Sequence, residues 1–299
     1  MRVALICSLS RPLETCRARA ISGVRGVDSP LQLKPIAGLG RDMRLWTHDP
    51  ATDLVSRILH RERRWEPCET RVLLACLTPG AVCVDAGANL GYFSVALALA
   101  TVPVARVLAF EPAADNFDLL ARNAELNGCG RTLEAYPLAL GEVARTAELY
   151  RSADNLGDHQ LCSLDRGRTR EAVRVEVGDP FLGARVDQLN VVKIDTQGTE
   201  ASVVRGMMSL LRASREQLHL LVELTPFALR TAGSSGRELV SLLAELDLPM
   251  AIVDHLEDRI VPETPEALAR WCDNVDATEG DEGFMNIFVG AIPKTLVGG

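Results

Sequence analysis

At 299 residues, 47% apolar and 24% charged, the chain is long enough for a large α/β core and does not have the composition of a disordered protein. A net charge of −8 and an aromatic content of 4% argue against nucleic acid as a partner, since no global field attracts phosphates and few rings can stack on bases. The eight cysteines form no Cys-x-x-Cys pair and no Cys/His ligand spacing, so no metal site is predicted and a reducing, cytoplasmic setting is expected.

Residues 1–30 show little periodicity and read as an extension. The segment to residue 71 carries 13 Arg or Lys against 8 Asp or Glu, a bias read as a solvated face. A short strand pair is expected between Pro30 and Asp49, with a turn at Gly38 and Gly40. Helical spacing follows over Asp53–His60 and Glu69–Leu77, stopped by Thr78-Pro79-Gly80. Strands and helices then alternate. The strands are Ala81–Asp85, Val104–Phe110, Leu133–Leu138, Val191–Asp195, Leu218–Glu223, Met250–Val253 and Phe284–Gly290. The helices between them are Tyr92–Ala100, Asp115–Asn127, Glu200–Leu211 and Arg237–Leu246. Fully apolar strands in such an alternation predict a parallel sheet covered on both faces. Roughly fifty residues separate the third and fourth strands, too many for a simple crossover. They hold two further strand-like runs, Thr146–Tyr150 and Val173–Val177, around a polar loop, so a β-containing insertion is expected where function places residues. No apolar run reaches membrane-spanning length.

The strongest motif is Asp85-Ala86-Gly87-Ala88-Asn89-Leu90-Gly91-Tyr92, after a strand and before a helix. Gly87 and Gly91 allow a tight turn whose N–H groups approach a ligand closely. The middle glycine of a dinucleotide fingerprint is missing, and the Asp85 carboxylate would repel a pyrophosphate while suiting a cationic amino group such as that of a methionine moiety. Glu111 follows the next strand, 24 residues after Gly87, and Pro112 fixes the chain beyond it; a carboxylate there suits two vicinal ribose hydroxyls. The third motif is Lys193-Ile194-Asp195-Thr196-Gln197-Gly198-Thr199-Glu200 at a fourth strand's exit. Lys193 is one of only three lysines; buried, it needs a carboxylate partner, with a salt bridge across the sheet edge as the alternative to a functional role.

These motifs, with Asn123 to Asn127-Gly128, Ala139-Leu140-Gly141, Asn155-Leu156-Gly157-Asp158-His159 and Leu221-Val222-Glu223, resemble the FkbM-type methyltransferases from about Trp65 to Pro293. The resemblance implies a Rossmann-like, seven-stranded, mostly parallel sheet with the last strand antiparallel, and S-adenosylmethionine as methyl donor. It implies a domain at 65–293, with 1–64 as lead-in and 294–299 as tail. It also implies methylation of a hydroxyl on a sugar, lipid or natural product. Gln197 stands where many members carry an acid. Position by position, Asp85, Gly87, Asn89, Gly91 and Tyr92 would hold the methionine end, Glu111 with Pro112 the ribose, Asn116 the adenosine, and Ala139 and Leu140 the adenine. Asn155, Asp158 and Glu200 would meet the acceptor. An alcohol that is methylated sheds a proton, and His159 is the expected base by its intrinsic pKa, with Asp195 or Glu223 as substitutes or as hydrogen-bond partners of the acceptor. A nicotinamide-dependent oxidoreductase on the related fold and a non-catalytic binding module are the rival readings.

Overall fold

The computed structural model describes residues 29–152, 159–161, 168–280 and 283–296. The lead-in begins with two short strands, β1 (Leu31–Gln32) and β2 (Arg44–Leu45), paired antiparallel as expected. Helix α1 (Leu54–Glu62) starts where the Asp53 carboxylate accepts from the Ser56 N–H, and α2 (Pro67–Ala75) starts on Pro67, whose missing N–H costs nothing in a first turn. The alternating region follows with β3 (Val82–Ala86), α3 (Tyr92–Ala98), β4 (Arg106–Phe110), α4 (Ala114–Leu126) and β5 (Leu133–Tyr136). The third predicted strand, Leu133–Leu138, ends earlier, at Tyr136, and after Pro137-Leu138 the chain enters β6 (Ala139–Gly141) in another sheet. There β6 lies parallel to β8 (Thr169–Val177), which pairs antiparallel with β7 (Arg145–Arg151). This small sheet is the expected insertion.

The chain returns through α5 (Gly178–Gly183), β9 (Val191–Ile194), α6 (Glu200–Ala213), β10 (His219–Leu224), α7 (Pro226–Thr231), α8 (Gly236–Ala244) and β11 (Met250–Asp254). It ends with β12 (Arg259–Glu263), α9 (Pro265–Ala277) and β13 (Met285–Val289). The main sheet has the order β12-β11-β13-β10-β9-β3-β4-β5. All seven predicted strands are in it, and the last, β13, runs antiparallel to β10 and β11. An eighth, β12, forms an antiparallel edge hairpin with β11; its half-exposed residues and Pro262 suit an edge and conceal it from apolar patterning.

Successive strand residues feed two apolar clusters, one on each face. Cys83, Val107, Val191 and Leu221 pack toward α2–α4 and the lead-in, while Val84, Leu108, Val192 and Val222 pack toward α6 and α8. The five described cysteines (Cys68, Cys76, Cys83, Cys129, Cys272) are buried free thiols; Cys7, Cys16 and Cys162 lie outside the described residues. Among the described residues no helix is long and apolar enough to cross a membrane. From β3 the chain winds outward through β4 and β5, then restarts at β9 on β3's other side. That reversal opens a crevice beyond the carboxyl ends of β3 and β9, where open α/β sheets bind ligands.

Candidate active site

A cavity occupies that crevice. Its walls include Gly87, Asn89, Glu111, Pro112, Asn116, Ala139 and Leu140 on the β3–β4 side, Leu149, His159 and Leu161 from the insertion, and Asp195, Thr196, Gln197 and Thr199 after β9. The sequence assigns a role to nine of these fourteen; Thr196, Gln197 and Thr199 belong to its third motif without one, and Leu149 and Leu161 lie in no motif.

The glycine turn differs from expectation in how it is used. Gly87 has φ +81°, and a Cβ on it would lie 1.8 Å from the Asp195 carbonyl oxygen; a Cβ on Gly91 would lie 2.6 Å from Leu120 Cδ1. Both glycines are demanded by packing. The turn's N–H groups are also engaged within the protein. Those of Gly87 and Ala88 donate to the Phe110 carbonyl, Asn89 to Glu111 Oε2, Leu90 to Asn89 Oδ1 and Gly91 to the Ala88 carbonyl. No set of free amides remains to cradle a phosphate.

Glu111, at the end of β4, is 5% exposed. Its Oε2 accepts from Asn89 N–H at 2.8 Å and its Oε1 from Ala113 N–H at 2.9 Å, which clamps the carboxylate in the cavity wall. Burial, opposed by these two bonds, pushes its pKa up to about 7. Asn116 is buried beside it with Oδ1 2.8 Å from His48 Nε2, so a lead-in histidine with no sequence context steadies a cavity residue. The lead-in is fastened to α4 by Asn123, whose side chain bonds the N–H and C=O of Trp46 and the Leu90 carbonyl.

Asp85, Gly91, Tyr92, Glu200 and Glu223 are not among the residues that line this cavity. Asp85 is fully buried behind the turn, where its Oδ2 accepts from Ser94 Oγ and its Oδ1 lies 3.8 Å from Lys193 Nζ. Tyr92 is turned into the core beside Trp65 and Thr70. Glu200 closes the loop before α6, with Oε1 accepting from the Thr196 N–H and hydroxyl and from Gly198 N–H. That use occupies the carboxylate expected to meet the acceptor.

Asp195 does reach the cavity. Its Oδ2 lies 3.1 Å from Lys193 Nζ and its Oδ1 accepts from Gln197 Nε2 at 2.7 Å. The same Gln197 nitrogen donates to Glu223 Oε2 at 2.9 Å, so an amide bridges two carboxyl groups at the position of the family's usual acid. Burial would raise Asp195, but Lys193 and then Gln197 hold it below the ordinary carboxylate value. Burial and then Asp195 and Glu200 drive Glu223 well above it. Glu66, presented from a left-handed turn (φ 37°) before α2, joins this group unannounced by any motif. Burial and Asp195 push it up to about 8.

His159 lines the insertion side of the cavity, and its Nδ1 accepts from Ser152 N–H at 3.1 Å. A neutral ring with Nδ1 accepting carries its proton on Nε2. The ring expected as the base from its intrinsic pKa thus has its Nδ1 engaged by the Ser152 N–H. Asn155 and Asp158 lie outside the described residues.

The family profile "Methyltransferase FkbM domain" matches residues 85–248. Among known proteins, the chain is similar to Methyltransferase 1 of Beauveria bassiana, 29% identical over an aligned length of 180 residues, with 53% of this chain and 70% of that one covered. It is also similar to the hexuronic acid methyltransferase AglP of Haloferax volcanii, 27% identical over 196 residues, 64% of this chain and 73% of that one. Among solved structures, it is similar to the methyltransferase FkbM from Methylobacillus flagellatus KT, with 15% identity and a TM-score of 0.43 over 71% of this chain. It spans 44% of that longer chain.

Proposed function

We propose, from the premise that this chain belongs to the methyltransferase FkbM family, that it transfers a methyl group from S-adenosylmethionine to a hydroxyl of a small-molecule acceptor, a sugar, lipid or natural product. The observation that carries the reading is the clamped Glu111 carboxylate. Each of its oxygens gives one lone pair to a main-chain N–H, which leaves acceptor capacity for two neighbouring ribose hydroxyls. Pro112, Ala139 and Leu140 supply the apolar wall that an adenine needs, and Asn116 stands beside them. Gly87 and Asn89 would meet the methionine end, with Asp85, Gly91 and Tyr92 acting from behind the turn. The satisfied amides of that turn count against a nicotinamide dinucleotide, whose pyrophosphate has no donors waiting for it.

When bound, S-adenosylmethionine supplies a methyl on a sulfonium, open to in-line displacement by an oxygen nucleophile. Asp195 accepts the acceptor's hydroxyl proton and aligns its oxygen, with Gln197 and Lys193 fixing both carboxylate oxygens. Glu223 retains a proton behind it, and His159 donates through Nε2 to a polar group of the acceptor. Leu149 and Leu161 of the insertion screen the cavity from water. The relative named a hexuronic acid methyltransferase makes hexuronic acids the first acceptors to try.

Calorimetry on the full chain with S-adenosylmethionine and, separately, NAD tests the donor. Saturable binding of the first alone is expected, and binding of NAD alone overturns the reading. Mass spectrometry of hexuronic acids and other hydroxylated small molecules, incubated with enzyme and donor, then identifies the acceptor by the gain of one methyl.

A further inference from the structure

We propose that Lys193 is a positioning residue of the reaction: from within the sheet, its ammonium holds the Asp195 carboxylate, charged and aimed, in the cavity wall. The inference rests on the reading of Asp195 as proton acceptor and deepens it.

Lys193 lies on β9 at 5% exposure. Its neighbours in the same row across the sheet are Asp85 on β3 and then Leu221, Phe288 and Ala251 on β10, β13 and β11. Three of the five positions are buried and apolar, so this row of strands packs without charge elsewhere. A buried ion pair is also a poor brace, because well-packed apolar residues in its place are often neutral or stabilising. The charge is explained by what lies one step along the same face. Asp195 is two residues on, at the cavity. There Lys193 Nζ sits 3.1 Å from Asp195 Oδ2, 3.8 Å from Asp85 Oδ1 and 5.0 Å above the Phe93 ring, whose face adds a further attraction for a cation. With Gln197 on Oδ1, both oxygens of Asp195 are oriented.

The surroundings are otherwise acidic on every side. Asp85 faces the ammonium from β3, Glu66 from the start of α2, Glu223 faces Asp195 from β10, Glu200 stands behind it at the start of α6, and Glu69 of α2 adjoins Glu66. Among the described residues Lys193 is the cation that acts on this group, and it is held above its ordinary value by Asp195, Asp85 and Glu66 against the opposing effect of burial. Without it, Asp195 would be one carboxyl among several in a low-dielectric floor and would take up a proton. It would then offer the acceptor a donor where an acceptor of protons is required.

The test is a titration of the full chain labelled with carboxyl-¹³C aspartate, followed by NMR. The Asp195 signal is identified by its loss in Asp195→Asn. In wild type, Asp195 should stay charged below the range of the exposed aspartates. In Lys193→Met, which keeps the apolar stem, its midpoint should rise by at least about one pH unit; in Lys193→Arg it should stay near wild type. On the acceptor found by the methyl-gain screen, Lys193→Met should lower kcat, leave KM for S-adenosylmethionine within about threefold, and regain part of its rate at higher pH, as Asp195 ionises. An unmoved Asp195 midpoint in a folded Lys193→Met overturns the proposal, as does a moved midpoint with unchanged kcat. If Lys193→Met does not fold, wild type decides: an Asp195 that titrates with the exposed aspartates overturns it. Calorimetry with S-adenosylmethionine on the same samples keeps the outcomes apart, since loss of donor binding in wild type defeats the proposed function and not the Lys193–Asp195 coupling.

Discussion

The strand ends on the two sides of the crevice satisfy their acids by different means. At the end of β4, main-chain N–H groups clamp Glu111, with the Asn116 side chain beside it. At the ends of β9 and β10, an ammonium and an amide side chain hold Asp195, and Glu223 shares that amide. A carboxylate fixed by backbone keeps one geometry and suits neutral hydroxyl partners. A carboxylate fixed by ionisable neighbours has a charge that those neighbours set, which suits a step that moves a proton. On the proposed function the two sides would divide into a binding half and a reacting half, and substitutions should separate them.

The largest effect is expected on the reacting side. Asp195→Asn keeps the shape but not the proton acceptor and should lower kcat by ~10²–10⁴, with donor affinity nearly unchanged. His159→Gln should cost less than about tenfold, because a neutral hydrogen bond is worth roughly 0.5–1.5 kcal/mol. The rate at saturating donor should stay flat through the histidine range and fall only at lower pH, since Asp195 is held below the ordinary carboxylate value. If His159→Gln loses more rate than Asp195→Asn, the roles are reversed.

On the binding side the expected effect is on affinity. Two charge-assisted hydrogen bonds of roughly 1.5–3 kcal/mol each, reduced by desolvation, make Glu111→Ala at least about tenfold weaker for S-adenosylmethionine, with kcat recovered at saturating donor. Because the Glu111 pKa is pushed up to about 7, wild-type affinity should fall as pH drops through that value, and Glu111→Gln should be flat there. Calorimetry across that range, with a 2′-deoxy analogue beside the parent compound, reads both. Equal discrimination against the analogue in wild type and Glu111→Ala would mean that carboxylate and ribose do not meet.

The cavity wall on the β3–β4 side was largely legible in the sequence, apart from Asp85, Gly91 and Tyr92 behind the turn, and the wall after β9 was legible only as a list of acids. Apolar strand runs announce β3, β4, β9 and β10, and an acid one step past β4 is visible as such. Local order also shows that a glycine turn follows β3. It does not show that Gly87 is required by the Asp195 carbonyl more than a hundred positions away, nor that the turn's amides are used internally. Lys193 finds Asp85 through strand pairing, and Glu66 reaches them from the lead-in; such meetings are properties of topology, whereas Asp195 is two residues on along the same face. The His159 tautomer rests on one main-chain N–H, that of Ser152, which no residue pattern encodes.

The smallest expected effect is on stability, and it sharpens the same division. Glu111 and Glu66 are both raised from 4.5, to about 7 and about 8, by burial first and then, at Glu66, by Asp195. A carboxyl group whose folded pKa exceeds its unfolded one binds its proton more tightly when folded. Its contribution to stability is complete below about 4.5 and is lost as pH rises through the folded value. Asp195, held below its ordinary value, has the opposite sign: its contribution is present above that value and lost in acid. The Tm of the unliganded protein should therefore decline between pH 5.5 and 8.5. Glu66→Gln and Glu111→Gln should match wild type below about pH 4.5, gain on it as pH rises, and exceed it by several degrees near pH 8.5, at roughly 2–4 °C per kcal/mol for a chain of this class. The gain should begin together in the two variants and level off about one pH unit earlier for Glu111→Gln. Asp195→Asn should instead lose Tm at neutral pH and approach wild type only in acid. A Tm difference independent of pH in the two glutamine variants would show that neither carboxyl group holds its proton in the folded chain, and the contrast between the two halves would then have to rest on geometry alone.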